Sequence, residues 1–147
     1  MSLNTICPIF ICDDIQKTLS FYVDVLGFTY ADHTDKEEKF AAIYRDSIEI
    51  ILVEKVKGSI ESNMKKYGAG EDAYICPDTI KSVNALYNEL KTKKVNKLCE
   101  PSLKTYGSYE FSFEDIDGRT IGIGRISDRN AFFERSNHEI KDADFSI

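Results

Sequence analysis

Ile11-Cys12-Asp13-Asp14-Ile15 opens a helix-like run through Tyr22 and Val25, and 65 residues later Cys76-Pro77-Asp78-Thr79-Ile80 opens a matching run through Tyr87 and Leu90. In each copy an apolar strand meets an Asp and a helix begins there. A repeat of this length marks two supersecondary modules, and a paired fold places its ligand site where the modules meet.

Working outward, Thr5 to Cys12 reads as the first strand. Asp13 or Asp14 caps the next helix by accepting free backbone N–H groups. Ile15, Leu19, Tyr22 and Leu26 share one helical face, and Gly27 closes the helix in the left-handed conformation. Phe28 to Ala31 begins a second strand, His33 to Lys39 is a charged turn, and Phe40 to Arg45 pairs with Ile48 to Glu54 across Asp46-Ser47. A connector, residues 55–71, holds a short helix from Ser59, its cap, to Tyr67. The second module, residues 72–126, repeats the order of the first, residues 5–54. Asp72 to Cys76 is a strand and Thr79 to Lys91 a helix. A short strand lies near Lys97, and Tyr109 to Asp115 pairs with Arg119 to Arg125 across Asp117-Gly118. Residues 127–147 form a tail in which Asp128 caps a short helix carrying Phe132 and Phe133. The reading is therefore α+β: two tandem βαβββ modules forming one domain, a curved mixed sheet around a cleft.

The 147 residues suffice for one domain with a core, and 42% hydrophobic with 30% charged residues is ordinary for a globular protein. No apolar run approaches a membrane span and the N-terminus lacks a signal-peptide pattern, so the expectation is a cytoplasmic protein with reduced cysteines. Cys7, Cys12, Cys76 and Cys99 are spaced neither as a zinc ribbon nor as a redox pair, and Cys12 and Cys76 are expected as small buried thiols. A net charge of −6 argues against nucleic acid; it would suit a cationic ligand, but plain solubility is the favoured reading of it. Gly58, Gly68 and Gly70 lack the Lys-Ser/Thr pair of a phosphate loop.

Two stretches carry a family resemblance. Phe21-Tyr22-Val23-Asp24-Val25-Leu26-Gly27-Phe28, preceded by Pro8-Ile9-Phe10-Ile11, resembles the F-Y-x-x-x-L-G-F signature of the glyoxalase / bleomycin-resistance / extradiol-dioxygenase superfamily, the vicinal oxygen chelate fold. Phe113-Glu114-Asp115-Ile116-Asp117-Gly118-Arg119-Thr120-Ile121 resembles its closing hairpin, with Ile116 in place of a proline. The resemblance implies a homodimer and a cleft that, in enzymes of the family, holds one divalent metal through His, Glu or Gln on the first and last strands of each module. Motif matching puts those positions at Cys7, Ile51, Asp72 and Gly122. Ile51 and Gly122 have no donor, and a thiolate with one carboxylate is a poor pair for Mn, Fe or Ni. His33 and His138 lie elsewhere. The expectation is no metal and no cofactor.

Alternation along the strands gives the inward residues: Cys7, Ile9 and Ile11; Glu49, Ile51 and Val53; Asp72, Tyr74 and Cys76; Thr120, Gly122 and Gly124. Gly122 and Gly124 leave room for a flat ligand or relieve crowding in a twisted strand. Tyr74, Phe40 and Tyr44 form an aromatic wall or, for Phe40 above all, ordinary core. Glu49 and Asp72 bring negative charge, and the resemblance implies that Tyr106 and Glu110 overhang the cleft, from a gating loop or a plain turn. The candidate ligand-binding set is Cys7, Ile9, Tyr44, Glu49, Ile51, Asp72, Tyr74, Tyr106, Glu110 and Gly122.

The resemblance then implies a metal-free binding protein of the bleomycin-resistance type, in which acidic dimers trap a cationic antibiotic, with a small molecule and no nucleic acid or membrane as partner. The alternatives are a metal-dependent lyase or dioxygenase built on Cys7, Glu49 and Asp72, and an interaction module that docks a partner through Phe132-Phe133.

Overall fold

The computed structural model describes residues 1–31 and 39–127. Most of the expected charged turn, with His33, and the tail bearing Asp128, Phe132, Phe133 and His138 lie outside them. The first half runs β1 (Ile9–Cys12), α1 (Ile15–Ser20) continued by a π-helical turn (Phe21–Val25), β2 (Thr29–Tyr30), β3 (Phe40–Arg45) and β4 (Ile48–Glu54). After α2 (Asn63–Tyr67), the second half runs β5 (Ala73–Ile75), α3 (Ile80–Lys93), β6 (Ser102–Leu103), β7 (Ser108–Glu114) and β8 (Thr120–Ile126). The strands form two four-stranded sheets, ordered β1-β4-β3-β2 and β5-β8-β7-β6. The first strand of each pairs parallel with the last and the other pairs are antiparallel, so both sheets are mixed. This is the expected α+β fold of two βαβββ modules. The chain divides into two compact units, Met1–Glu61 with Ile116–Gly118, and Ser62–Asp115 with Arg119 onward.

In the first unit, Asp14 is the cap of α1: its carboxylate accepts from the Gln16 and Lys17 N–H groups at 3.0 and 3.1 Å. Asp13 instead pairs with Lys55. The Glu54 carboxylate accepts from the Ile15 N–H at 3.0 Å and meets Lys39 at 2.9 Å, which together hold its pKa below the usual range. The apolar stripe Ile15, Leu19, Tyr22 and Leu26 is buried, as are Phe10, Cys12, Ala41, Ile43, Ile50 and Leu52 from one face of the sheet. Helical spacing alone predicts a continuous α-helix, but the second turn widens and the Leu26 N–H reaches back to the Phe21 carbonyl at 3.3 Å. The wider turn accompanies Tyr22, which is packed between the rings of Phe10, Phe21 and Phe28. Gly27 then takes φ +68°, where an L side chain would be strained and would press on the Arg45 guanidinium. That guanidinium donates to the Leu26 carbonyl at 2.5 Å.

The first strand is shorter than expected. Pairing starts at Ile9, while Leu3 and Ile6 are exposed. Pro8 has no N–H to give the ladder, so only its carbonyl takes part, accepting from Ile51. Residues Ile116–Gly118 belong to this unit through Asp117. Its carboxylate accepts from the Asp13 N–H at 3.1 Å and from the Thr18 hydroxyl at 2.6 Å.

In the second unit, Thr79 caps α3 by accepting from the Ser82 N–H at 3.1 Å. The helix runs past the expected Lys91 to Lys93 and stops at Lys94, which is left-handed at φ 53°. Val83 and Leu90 are buried, as are Phe111, Phe113, Ile121 and Ile123 of the sheet face the helix covers, and Tyr87 meets Phe111 edge-on at 5.6 Å. The expected helix from Ser59 starts later. Ser62 is its cap, accepting from Lys65 N–H at 3.1 Å, and Asp72 accepts from the Asn63 N–H at 3.0 Å. The strand expected near Lys97 is reduced to a bridge between Asn96 and Glu114, with β6 following at Ser102. Lys97 turns to φ 49° and Pro101 lacks an N–H, so no longer edge strand can form. The β7–β8 hairpin is closed by a buried clasp in which Arg119 donates through its N–H and Nε to Asp115 at 3.0 and 2.8 Å. Cys12 is buried, but Cys76, expected buried, is exposed.

Candidate functional site

Each helix covers one face of its sheet, so the other face is left for function. In the first unit the open face carries the expected alternation. Ile51 lies between Ile9 and Ala42, Val53 between Ile11 and Phe40, and Tyr44 beside Glu49. Ile9 is 61% exposed, and Phe40, expected in the core, is exposed on this face. The structure brings Cys7, Tyr44 and Glu49 together: the thiol donates to Glu49 Oε2 at 3.3 Å and the phenol to Oε1 at 3.2 Å. The Glu49 carboxylate pushes both groups' pKa up, first by accepting their protons in hydrogen bonds.

The second unit's open face holds a cavity of about 500 Å³. Its polar wall is Glu71, Tyr74, Tyr106, Ser108 and Glu110, and its apolar edge is Met64 and Ile126, with Gly70 between. Glu110, on β7, is only 7% exposed. It tolerates burial because both oxygens are taken: Tyr74 donates to Oε2 at 2.8 Å and Tyr106 donates to Oε1. Tyr74 also meets the Ser108 hydroxyl at 2.7 Å. Burial, then the Glu110 carboxylate, pushes the Tyr106 phenol up to about 12. Burial likewise drives Tyr74 far up, with the Ser108 hydrogen bond opposing it. Both phenols are thus fixed donors at neutral pH.

Glu71 is the residue the strand pattern missed. It precedes β5, and the chain bends at Gly70 with φ 84°, so alternation no longer says where the side chain points. Its carboxylate lies over β8. A Cβ on Gly122 would fall 2.0 Å from Glu71 Oε2, and one on Gly124 would fall 2.2 Å from Tyr74 Oη. The space beside these glycines, read either as room for a flat ligand or as relief of crowding, is filled by the chain's own Glu71, Tyr74 and Glu110. Among the described residues no hydrogen bond or ion pair reaches the Glu71 carboxylate. Its pKa is raised by burial and then by the nearby charge of Glu110, with Lys104 pulling the other way.

The raised pKa has a sign that can be measured. The folded state holds the Glu71 proton more tightly than the unfolded chain, so stability falls as pH rises through the folded pKa. Glu71→Gln is therefore expected to melt higher than the parent at pH 7.5, by on the order of 1–2 °C because solvent screens a half-exposed group. The difference should vanish below the ordinary carboxylate range. Thermal melts across pH test this, and a variant that melts lower at pH 7.5 would contradict it.

Of the expected site residues, Tyr74, Tyr106 and Glu110 line the cavity; Cys7, Ile9, Tyr44, Glu49 and Ile51 share the first unit's open face. Asp72 is spent on structure, accepting from the Asn63 N–H and, at 2.8 Å, from the Thr120 N–H. The residues at the four positions implied for a metal do not fit one. Ile51 and Gly122 bring no donor, both Asp72 oxygens hold backbone N–H groups, and Cys7 keeps its proton against Glu49. Among the described residues, no group of three or more His, Cys, Asp or Glu is arranged to hold an ion. No helix among them is long and apolar enough to cross a membrane.

Comparison with known proteins places this architecture. No curated protein matches the sequence. The fold matches a glyoxalase-related enzyme from Clostridium phytofermentans at TM-score 0.64 and 15% identity, over 84% of this chain and 95% of that one. It matches the bleomycin-binding protein of Streptomyces verticillus, solved with copper(II)-bleomycin, at TM-score 0.62 and 19% identity, over 84% and 96%. A lactoylglutathione lyase from Agrobacterium tumefaciens matches at TM-score 0.61 and 15% identity, over 84% and 95%. At these identities the likeness is one of fold. A family model covers residues 3–123, nearly all of both modules, and the chain belongs to the Glyoxalase/Bleomycin resistance protein/Dioxygenase superfamily.

Proposed function

We propose that this chain binds and sequesters a small cationic molecule in the cavity of its second unit, without a metal. One observation carries the reading: Glu71 and Glu110 face a cavity of about 500 Å³ and, among the described residues, neither has an ion pair. Glu110 is held ready by two phenols, and Glu71 has no donor among the described residues. A half-buried carboxylate beside another is costly to keep charged, and a cationic guest relieves both desolvation and repulsion. Met64 and Ile126 supply apolar surface for the rest of the guest. The net charge of −6 attracts cations over longer range. The likeness in fold to a bleomycin-binding protein makes bleomycin the first candidate.

Titration of isotope-labelled protein with metal-free and copper(II)-loaded bleomycin, and with small aryl amines, tests this by NMR. The expected result is saturable shifts at Tyr74, Tyr106 to Glu110 and Ile126, weakening as salt screens the charges. Equal binding by a neutral compound of the same shape, or shifts confined to other residues, would overturn it.

A further inference from the structure

Resting on that reading, we infer that the guest is recognised as a hydrogen-bond donor as well as a cation: it presents two or more N–H groups on one charged centre, as a primary ammonium, amidinium or guanidinium does, joined to an apolar body. A quaternary ammonium is selected against.

The two carboxylates are in opposite conditions. Glu110 has a phenol on each oxygen, so it can supply charge with its hydrogen bonds already made. Glu71 has none among the described residues, and its carboxylate lies in the notch beside Gly122. Glu71 is only partly buried, so in the free protein water can reach its oxygens. A guest that fills the cavity removes that water. It must then hand Glu71 replacement donors or leave a buried acceptor bare, and leaving one bare costs more than making the bond gains. A trimethylammonium group carries the right charge and would be attracted to the rings of Tyr74 and Tyr106, but it brings no hydrogen to Glu71. The phenols cannot turn to help, since both are committed to Glu110. A centre with two N–H groups can serve a carboxylate's two oxygens together. Met64, flexible and polarizable, and Ile126 accept an aryl or alkyl body beyond the charged centre.

Matched probes separate the parts: benzylammonium, benzyltrimethylammonium and benzyl alcohol, titrated by calorimetry at pH 7.5. Benzylammonium is expected to bind at least about tenfold more tightly than benzyltrimethylammonium, the ratio an unmet hydrogen bond to a charged group produces. In Glu71→Gln, whose cooperative melt confirms folding, the preference should fall toward unity. Gly122→Ala offers an independent route: its Cβ occupies the carboxylate's place and displaces Glu71 without removing its charge. The same fall is expected there. Equal affinity for the two cations, both above the alcohol, would overturn the donor requirement and leave the cation site standing. Alcohol binding as tight as either cation, or no probe binding at millimolar concentration, would overturn both.

Discussion

Gly124→Ala is expected to lower the melting temperature by roughly 6–10 °C, corresponding to about 2–3 kcal/mol of overpacking in a chain of this size. The added Cβ would stand 2.2 Å from Tyr74 Oη, 2.3 Å from Glu110 Cβ and 3.0 Å from Glu110 Cα. The last two decide the size of the effect. Glu110 faces Gly124 directly across the β7–β8 ladder, so its Cα and Cβ cannot retreat without opening the pairing. Gly122→Ala is the control. The three atoms nearest its Cβ all lie at the far end of the Glu71 side chain, which can swing aside, and a change under about 2 °C is expected. Thermal melts of the two variants decide the matter. Equal, small effects would mean that β7 and β8 have slack the close contacts deny.

Glu110→Gln should weaken binding of a primary ammonium probe by about 10- to 100-fold, the cost of losing a charged acceptor from a buried hydrogen-bonded set. The amide keeps the shape, so the sheet should stay folded. It also sets an NH2 group against one of the two phenols that donated to the carboxylate. A second readout is independent of any ligand. With the negative charge gone, Tyr106 should ionise below its present value of about 12, because the carboxylate both accepts its proton and repels its phenolate. The partial desolvation of its phenol remains and keeps it above a freely solvated tyrosine. Tyrosinate absorbance during alkaline titration measures the shift. A variant with unchanged affinity would remove Glu110 from the binding surface, and an unchanged phenol titration would mean its influence on Tyr106 is slight.

Much of the fold was legible because it rests on local rules. Asp14 and Thr79 cap equivalent helices, Gly27 ends the first of them, and the Asp46-Ser47 and Asp117-Gly118 turns set hairpins whose strands fall within a residue of expectation. Alternation also sorted the open from the covered face of each sheet, setting Glu49 apart from the buried Ile50 and Leu52 in the first and Tyr74 apart from the buried Ile121 and Ile123 in the second. What failed was decided by contacts distant in sequence. Ser62 displaced Ser59 as a cap because Asp72 holds the adjoining N–H. Asp72 itself, expected to face a ligand, is turned onto backbone by the start of β8. Glu71 escaped because alternation has no authority one residue outside a strand, beyond a glycine bend. Its trace in the sequence is indirect: Gly122, on an inward position of a central strand, leaves a gap that something else must fill.

The Asp117 carboxylate on the Asp13 N–H and the Thr18 hydroxyl has a consequence for how the protein is made. A ribosome delivers the chain from its N-terminus, and residues Met1–Glu61 emerge well before Ile116–Gly118. During that interval the nascent first module carries a helix start without its distant acceptor, beside apolar strands already in the open. Its completion therefore coincides with the closing hairpin of the other module, so the two repeats, though alike in outline, do not mature as separate beads on a string.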